Sequence, residues 1–139
     1  MTEVREGSGA DVASVSEALV SAFHDDPVML HIFDKEKGRE KKLRGLFVNE
    51  AKRSLTKGTL ITTSDGPALG GAIWMAPDKW RSGGFELVGQ LPLMFTMGLS
   101  TPRALGVLGR MEKVHPKQPH WYLAVLGTAA AHQGKGVGS

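Results

Sequence analysis

The apolar positions change period several times along the chain, and each change marks an element. Thr2 to Glu6 alternate Val4 with polar neighbours and predict a short strand, broken by Gly7-Ser8-Gly9. From Asp11 the set Val12, Val15, Leu19, Ala22 and Phe23 recurs at helical spacing, with Ser8 or Asp11 as N-cap. Asp26-Pro27 ends that helix, because proline disfavours helical geometry in the residue before it. A second helix is predicted over Arg39 to Thr56, with Leu43, Leu46, Phe47, Ala51 and Leu55 as its inward stripe and Lys57-Gly58 closing it. Gly58 to Thr63 and Pro67 to Met75 read as an antiparallel strand pair, turned at Ser64-Asp65-Gly66 and stopped at Ala76-Pro77-Asp78. Gly84 to Glu112 is rich in Leu and Met and is interrupted by Pro92 and Pro102, which predicts two helices. Pro116 and Pro119 mark a further boundary, and His120 to Gly127 (HWYLAVLG) reads as a buried strand.

Length and composition narrow the class. The 139 residues hold neither repeat, low-complexity tract nor linker, so one domain accounts for them. Apolar residues make up 41% and charged residues 22%, a globular composition rather than a disordered one. There is no cysteine, which removes a disulfide framework, a thiolate zinc site and a cysteine nucleophile together. The opening MTEVREGSGADV lacks a basic n-region and an apolar h-region, and Phe85 to Leu99 is too short to span a bilayer; a cytoplasmic protein with no membrane partner is expected.

Charge adds little. The net charge is +3, and six cations crowd into Lys35 to Arg44 (KEKGREKKLR) with two glutamates. Without interleaved aromatics this run reads as a solvated helix start, and no nucleic-acid partner is expected. His24-Asp25-Asp26 suggests a metal, but consecutive residues at a helix end rarely converge on one ion, so helix termination is preferred and no metal site is assigned.

The informative segment is Gly127 to Ser139, GTAAAHQGKGVGS. An apolar strand leads into a glycine-rich loop whose successive backbone N–H groups can converge on an anion, phosphate above all. It is not a Walker A loop: Gly134-Lys135 is followed by Gly136, and Ala129 stands where the first glycine belongs. It is not a dinucleotide fingerprint either, because the third glycine falls on Ser139. Gln-x-x-Gly-x-Gly does fit, met by Gln133, Gly136 and Gly138 directly after the strand.

That pattern resembles the pyrophosphate-binding motif of the GNAT superfamily of N-acetyltransferases. HPKQPHWYLAVLGTAAAHQGKGVGS is similar to the matching stretch of the puromycin N-acetyltransferase branch and its bacterial relatives. Ala22-Phe23 before Asp26-Pro27, and Ala72-Ile73-Trp74 before Pro77, keep the family's order. Where relatives usually carry a proline after the strand, this chain has Thr128-Ala129-Ala130-Ala131.

The resemblance implies an α/β (α+β) fold, the N-terminal part of a GNAT-like domain, with a mixed, mainly antiparallel sheet flanked by helices. Residues 1–139 are then expected to be a single domain truncated after the pyrophosphate loop. It implies acetyl transfer from acetyl-CoA, as cosubstrate, to a primary amine of a small molecule. The backbone around Leu126, Gly127 and Thr128 would align the pantetheine arm and polarise the thioester carbonyl, and Gln133, Gly134, Lys135, Gly136, Val137 and Gly138 would hold the pyrophosphate. The alternative is a non-catalytic CoA- or anion-binding remnant, or half of an assembly. With the family's next strand missing, residues 120–127 would be an exposed edge able to self-associate. No general base is assigned: His120 and Tyr122 on the strand, and Glu112 and His115 before it, stay open. Asp26 is a weaker candidate for an amine pocket, His31 and His132 carry no readable role, and the Leu- and Met-rich region from Phe85 to Met111 is expected to wall the acceptor side.

Overall fold

A computed structural model describes residues 2–81 and 88–139. Four strands, β1 (Val4–Glu6), β2 (Gly58–Thr63), β3 (Gly70–Met75) and β4 (Tyr122–Thr128), form one sheet in the order β1-β2-β3-β4. Every neighbouring pair is antiparallel. Helices α1 (Val12–Phe23), α2 (Pro27–Ile32) and α3 (Arg39–Lys57) separate β1 from β2, and α4 (Leu91–Met97) and α5 (Thr101–Val114) separate β3 from β4.

The helices begin where the local chemistry supplies a partner for their free N–H groups. Ser8 and Asp11 form a reciprocal capping box on the single 3-10 turn that leads into α1. Arg5 holds Asp11 in a two-pronged ion pair, which keeps that carboxylate well below its ordinary pKa. Asp26 ends α1 as expected, but it also starts α2: its side chain accepts hydrogen bonds from the Val28 and Met29 amides, and Pro27 takes the first helical position. Six residues of α2 are too few to show a period, so the pattern reads only the break.

α1 and α3 lie side by side on one face of the sheet. Val12, Val15 and Leu19 of α1 meet Leu43, Phe47 and Ala51 of α3 above Leu60, Ile73 and Met75 of the strands. Each large side chain so buried contributes about 1.5–3 kcal/mol. The α1 stripe matches its expected positions; on α3 Leu55 departs, being exposed in the last turn, where Ser54 is the buried residue instead. Gly71 lets α1 settle closely, since a Cβ there would lie 2.5 Å from Val15 Cγ1.

The two expected helices after β3 are found as α4 and α5, with Pro92 and Pro102 each in a first turn; the start of that expected region, 84–87, lies outside the described residues. Met97 is buried there, whereas Phe95 is 84% exposed. β4 is not the buried strand that its apolar run predicts. It is the outermost strand of the described sheet, and its side chains are half-buried except Leu126, which is 52% exposed.

Candidate functional site

β4 carries the site along its length. Its register against β3 slips once: Ile73 pairs with Val125 but Trp74 pairs with Leu123, which leaves Ala124 as the extra residue of a bulge. At the C-terminal end, Gly127 passes directly beneath the last turn of α1. A Cβ on Gly127 would meet Leu19 Cδ2 at 2.9 Å, Phe23 Cε2 at 2.9 Å and Ala22 Cβ at 3.1 Å.

Beyond Thr128 the chain is tied down at three points. The Ala129 amide donates to the Leu69 carbonyl at 2.8 Å, the Ala130 amide to Ser21 Oγ at 3.1 Å, and Gln133 Nε2 to the Thr128 carbonyl at 3.1 Å. Ser21 therefore anchors the loop to α1, a role with no signal in the sequence. A turn of 3-10 helix follows over Ala130–His132. The chain then winds through consecutive turns, with Gly134 at φ 72° and Gly136 at φ 79°. Both lie in the left-handed region that favours glycine, and nothing stands within 4 Å of where their Cβ atoms would be.

The result is a cleft of about 320 Å³ between the loop and the end of α1. Its walls are Leu126, Gly127 and Thr128 from β4, Ala22 and Phe23 from α1, and Gln133 and Gly138 from the loop. Of the residues singled out from the sequence, five thus converge on one cleft. Val137 lines a second cavity of about 150 Å³, which it shares with Gly138, Ser139 and residues of all four strands, Leu126, Gly127 and Thr128 among them. Gly134, Lys135 and Gly136 are exposed, and the Lys135 ammonium donates to the Ala131 carbonyl at 2.9 Å. Lys135 is the loop's one cation, and the bare glycines on either side of it leave the backbone there uncovered by side chains.

At the other end of β4 stands an aromatic cluster. The His115 ring lies 3.7 Å from that of Trp80 and 4.7 Å from those of His120 and Tyr122, centroid to centroid. Burial holds the His115 imidazole below its ordinary pKa, aided by His120 and Arg81 and opposed by Glu112. Burial likewise pushes the Tyr122 phenol up, with Glu50 adding to the effect, so it keeps its proton at neutral pH. Trp80, stacked on His115 in this cluster, gave no sequence signal.

Glu112 acts on the cluster only through its charge, and Asp26 and His31 stay apart. Glu112 pairs with Arg81 at 3.3 Å, Asp26 is occupied as the α2 cap, and His31 is exposed. His24 pairs with Asp25 at the end of α1, and among the described residues no three His, Asp or Glu side chains gather where they could hold a metal ion. No described helix is long and apolar enough to cross a membrane.

No protein-family model matches the chain. Among solved structures it is similar to a protein from Corynebacterium glutamicum ATCC 13032, described as histone acetyltransferase HPA2 and related acetyltransferase, with a TM-score of 0.68 and 28% identity. The match covers 99% of this chain and 65% of the other, so the chain spans about two-thirds of that protein's length. An antiparallel four-stranded sheet flanked by helices, matched over nearly the whole chain to an acetyltransferase, gives the chain a GNAT-like α/β fold.

Proposed function

We propose that the protein is an N-acetyltransferase that moves an acetyl group from acetyl-CoA to a primary amine of a small molecule. The observation that carries the reading is the cleft where Leu126, Gly127 and Thr128 meet Gln133 and Gly138 beneath α1. Exposed turns with two left-handed glycines let backbone amides approach a diphosphate closely, and Lys135 adds positive charge beside them. The outer edge of β4 then offers its amides to the pantetheine arm, as a sheet edge does to an added strand. Amides between Ala124 and Gly127 would polarise the thioester carbonyl, the one at Ala124 being set apart from the ladder by the bulge. The finer likeness to the puromycin-type branch, a single domain over 1–139 and a cytoplasmic setting belong to the same proposal.

The test is incubation of the protein with acetyl-CoA and a panel of primary amines, reading released thiol and the N-acetylated product by mass spectrometry. Thiol and product appearing in equal amounts support the reading. CoA binding without product supports the non-catalytic alternative. Absence of CoA binding overturns both.

A further inference from the structure

The two ends of β4 differ in chemistry. One leads to the cleft, and the other begins in the cluster of Trp80, His115, His120 and Tyr122. Two observations there concern the imidazole nitrogens. His120 Nδ1 lies 2.6 Å from the Gln118 carbonyl oxygen, which can only accept, so in the neutral ring the proton sits on Nδ1 and Nε2 keeps its lone pair. His115 Nε2 is buried and has no hydrogen-bond partner among the described residues. A buried ring nitrogen without a partner is costly, and a polar atom placed beside the two rings would relieve it.

We propose that His120, held in the Nδ1–H tautomer by Gln118 and flanked by His115, accepts the proton that the amine must lose before acetyl transfer. The proposal rests on the acetyltransferase reading above and names the base that the sequence left open. Three residues, Trp121 to Leu123, separate His120 from the bulge at Ala124, about 13 Å for four steps at a strand's rise, a gap that the imidazole's own reach, the acceptor amine and a water would fill. The step balances as follows. The ammonium ion gives one proton to His120 Nε2, directly or through water, and the freed lone pair forms a C–N bond to the thioester carbon. Collapse breaks the C–S bond, the electron pair leaves on sulfur, and a second proton from nitrogen converts the thiolate to CoA thiol. His120 returns its proton to solvent.

The charges facing this pair come from three other elements. Arg81, after β3, is paired with Glu112 of α5, and Glu50 of α3 is paired with Arg53 at 3.1 Å. Both anions that face the cluster are thus balanced by arginines. Tyr122, beside His115, keeps its phenolic proton and adds no charge at neutral pH. The neutral state of His115 suits the same task, since a cation there would oppose protonation of its neighbour.

Three measurements test the proposal, with calorimetric binding of CoA as the control for the underlying reading. Nitrogen-15 NMR, with the His120 signals identified through His120→Gln, should show that the neutral ring carries its proton on Nδ1 and leaves Nε2 bare; the opposite tautomer overturns the proposal. In thiol release from acetyl-CoA with tyramine, spermidine, histamine or a lysine peptide, His120→Gln should bind CoA normally and lose about 10²–10⁴-fold in kcat. His120→Ala should regain rate with added imidazoles in order of their basicity, and its pH profile should follow the added base. A His120→Gln rate and acid limb equal to wild type overturns the assignment. CoA binding without thiol release to any of these amines or to water favours the non-catalytic alternative and removes the assignment with the acetyltransferase reading. Failure to bind CoA at all instead removes the acetyltransferase reading, whatever the tautomer.

Discussion

Gly127 of β4 and Phe23 of α1 approach so closely that a methyl group on the glycine would lie 2.9 Å from the phenylalanine ring. The contact seats the last turn of α1 on the strand and makes the wall of the cleft from backbone on one side and side chains on the other. Gly127→Ala must push the Leu19 and Phe23 side chains aside and crowd the less yielding Ala22. We expect a loss of about 1–3 kcal/mol in urea unfolding, with weakened CoA binding. An unchanged unfolding midpoint would show that α1 does not rest on this glycine.

Phe47 reports on the core itself. It is buried between the helices and the sheet, with its ring 5.3 Å from that of Phe23. Phe47→Ala should cost about 3–5 kcal/mol, combining lost transfer energy with the cavity left behind. Because Phe23 is also a cleft wall, ligand affinity should fall in parallel.

Asp26 acts through the α2 cap. Its Oδ1 accepts from the Val28 amide at 2.9 Å and from the Met29 amide at 3.1 Å. Asp26→Ala should cost about 0.5–2 kcal/mol, and Asp26→Asn should recover most of it. Equal losses in both variants would mean that the carboxylate, rather than the cap, matters.

His115 sets a pH dependence whose sign follows from its burial. Its folded pKa lies below the ordinary imidazole value of 6.5, so the folded state binds this proton less readily than the unfolded chain. Its neutral form thus favours folding fully above the unfolded pKa, and that stability is lost as pH falls from there through the folded pKa. Urea midpoints should drop on acidification across that window in the wild type. His115→Phe, which keeps the stacked ring against Trp80, should remove this component of the slope.

What could be read from the chain and what could not divide along local and non-local physics. The α1 stripe of Val12, Val15 and Leu19 and the β2–β3 pair declare themselves by period and turn residues, and the Gln133-Gly136-Gly138 spacing points to the loop. Leu55 departs from the helical stripe because its neighbour Ser54 takes the buried position of the last turn, its hydroxyl bonded to the Ala51 carbonyl. The strand ending at Thr128 has an apolar composition that looks buried, yet its exposure depends on sheet order, which no stretch of β4 encodes alone. Ala22 and Phe23 join the cleft only because Gly127 admits α1 so closely, and Trp80 meets His115 only once α5 has returned the chain to the sheet.

The central claim is that the loop from Gln133 to Gly138 binds acetyl-CoA through its diphosphate, and calorimetric titration of acetyl-CoA into wild type and Gly136→Asp tests it most directly. Gly136 has open space around it and φ 79°, a conformation aspartate tolerates better than most residues, so the variant should stay folded at a cost of about 1–2 kcal/mol. Its carboxylate would stand among the amides that the diphosphate needs and repel it. The account predicts saturable binding to the wild type and none detectable to a folded Gly136→Asp. Equal affinity for the two proteins would contradict it.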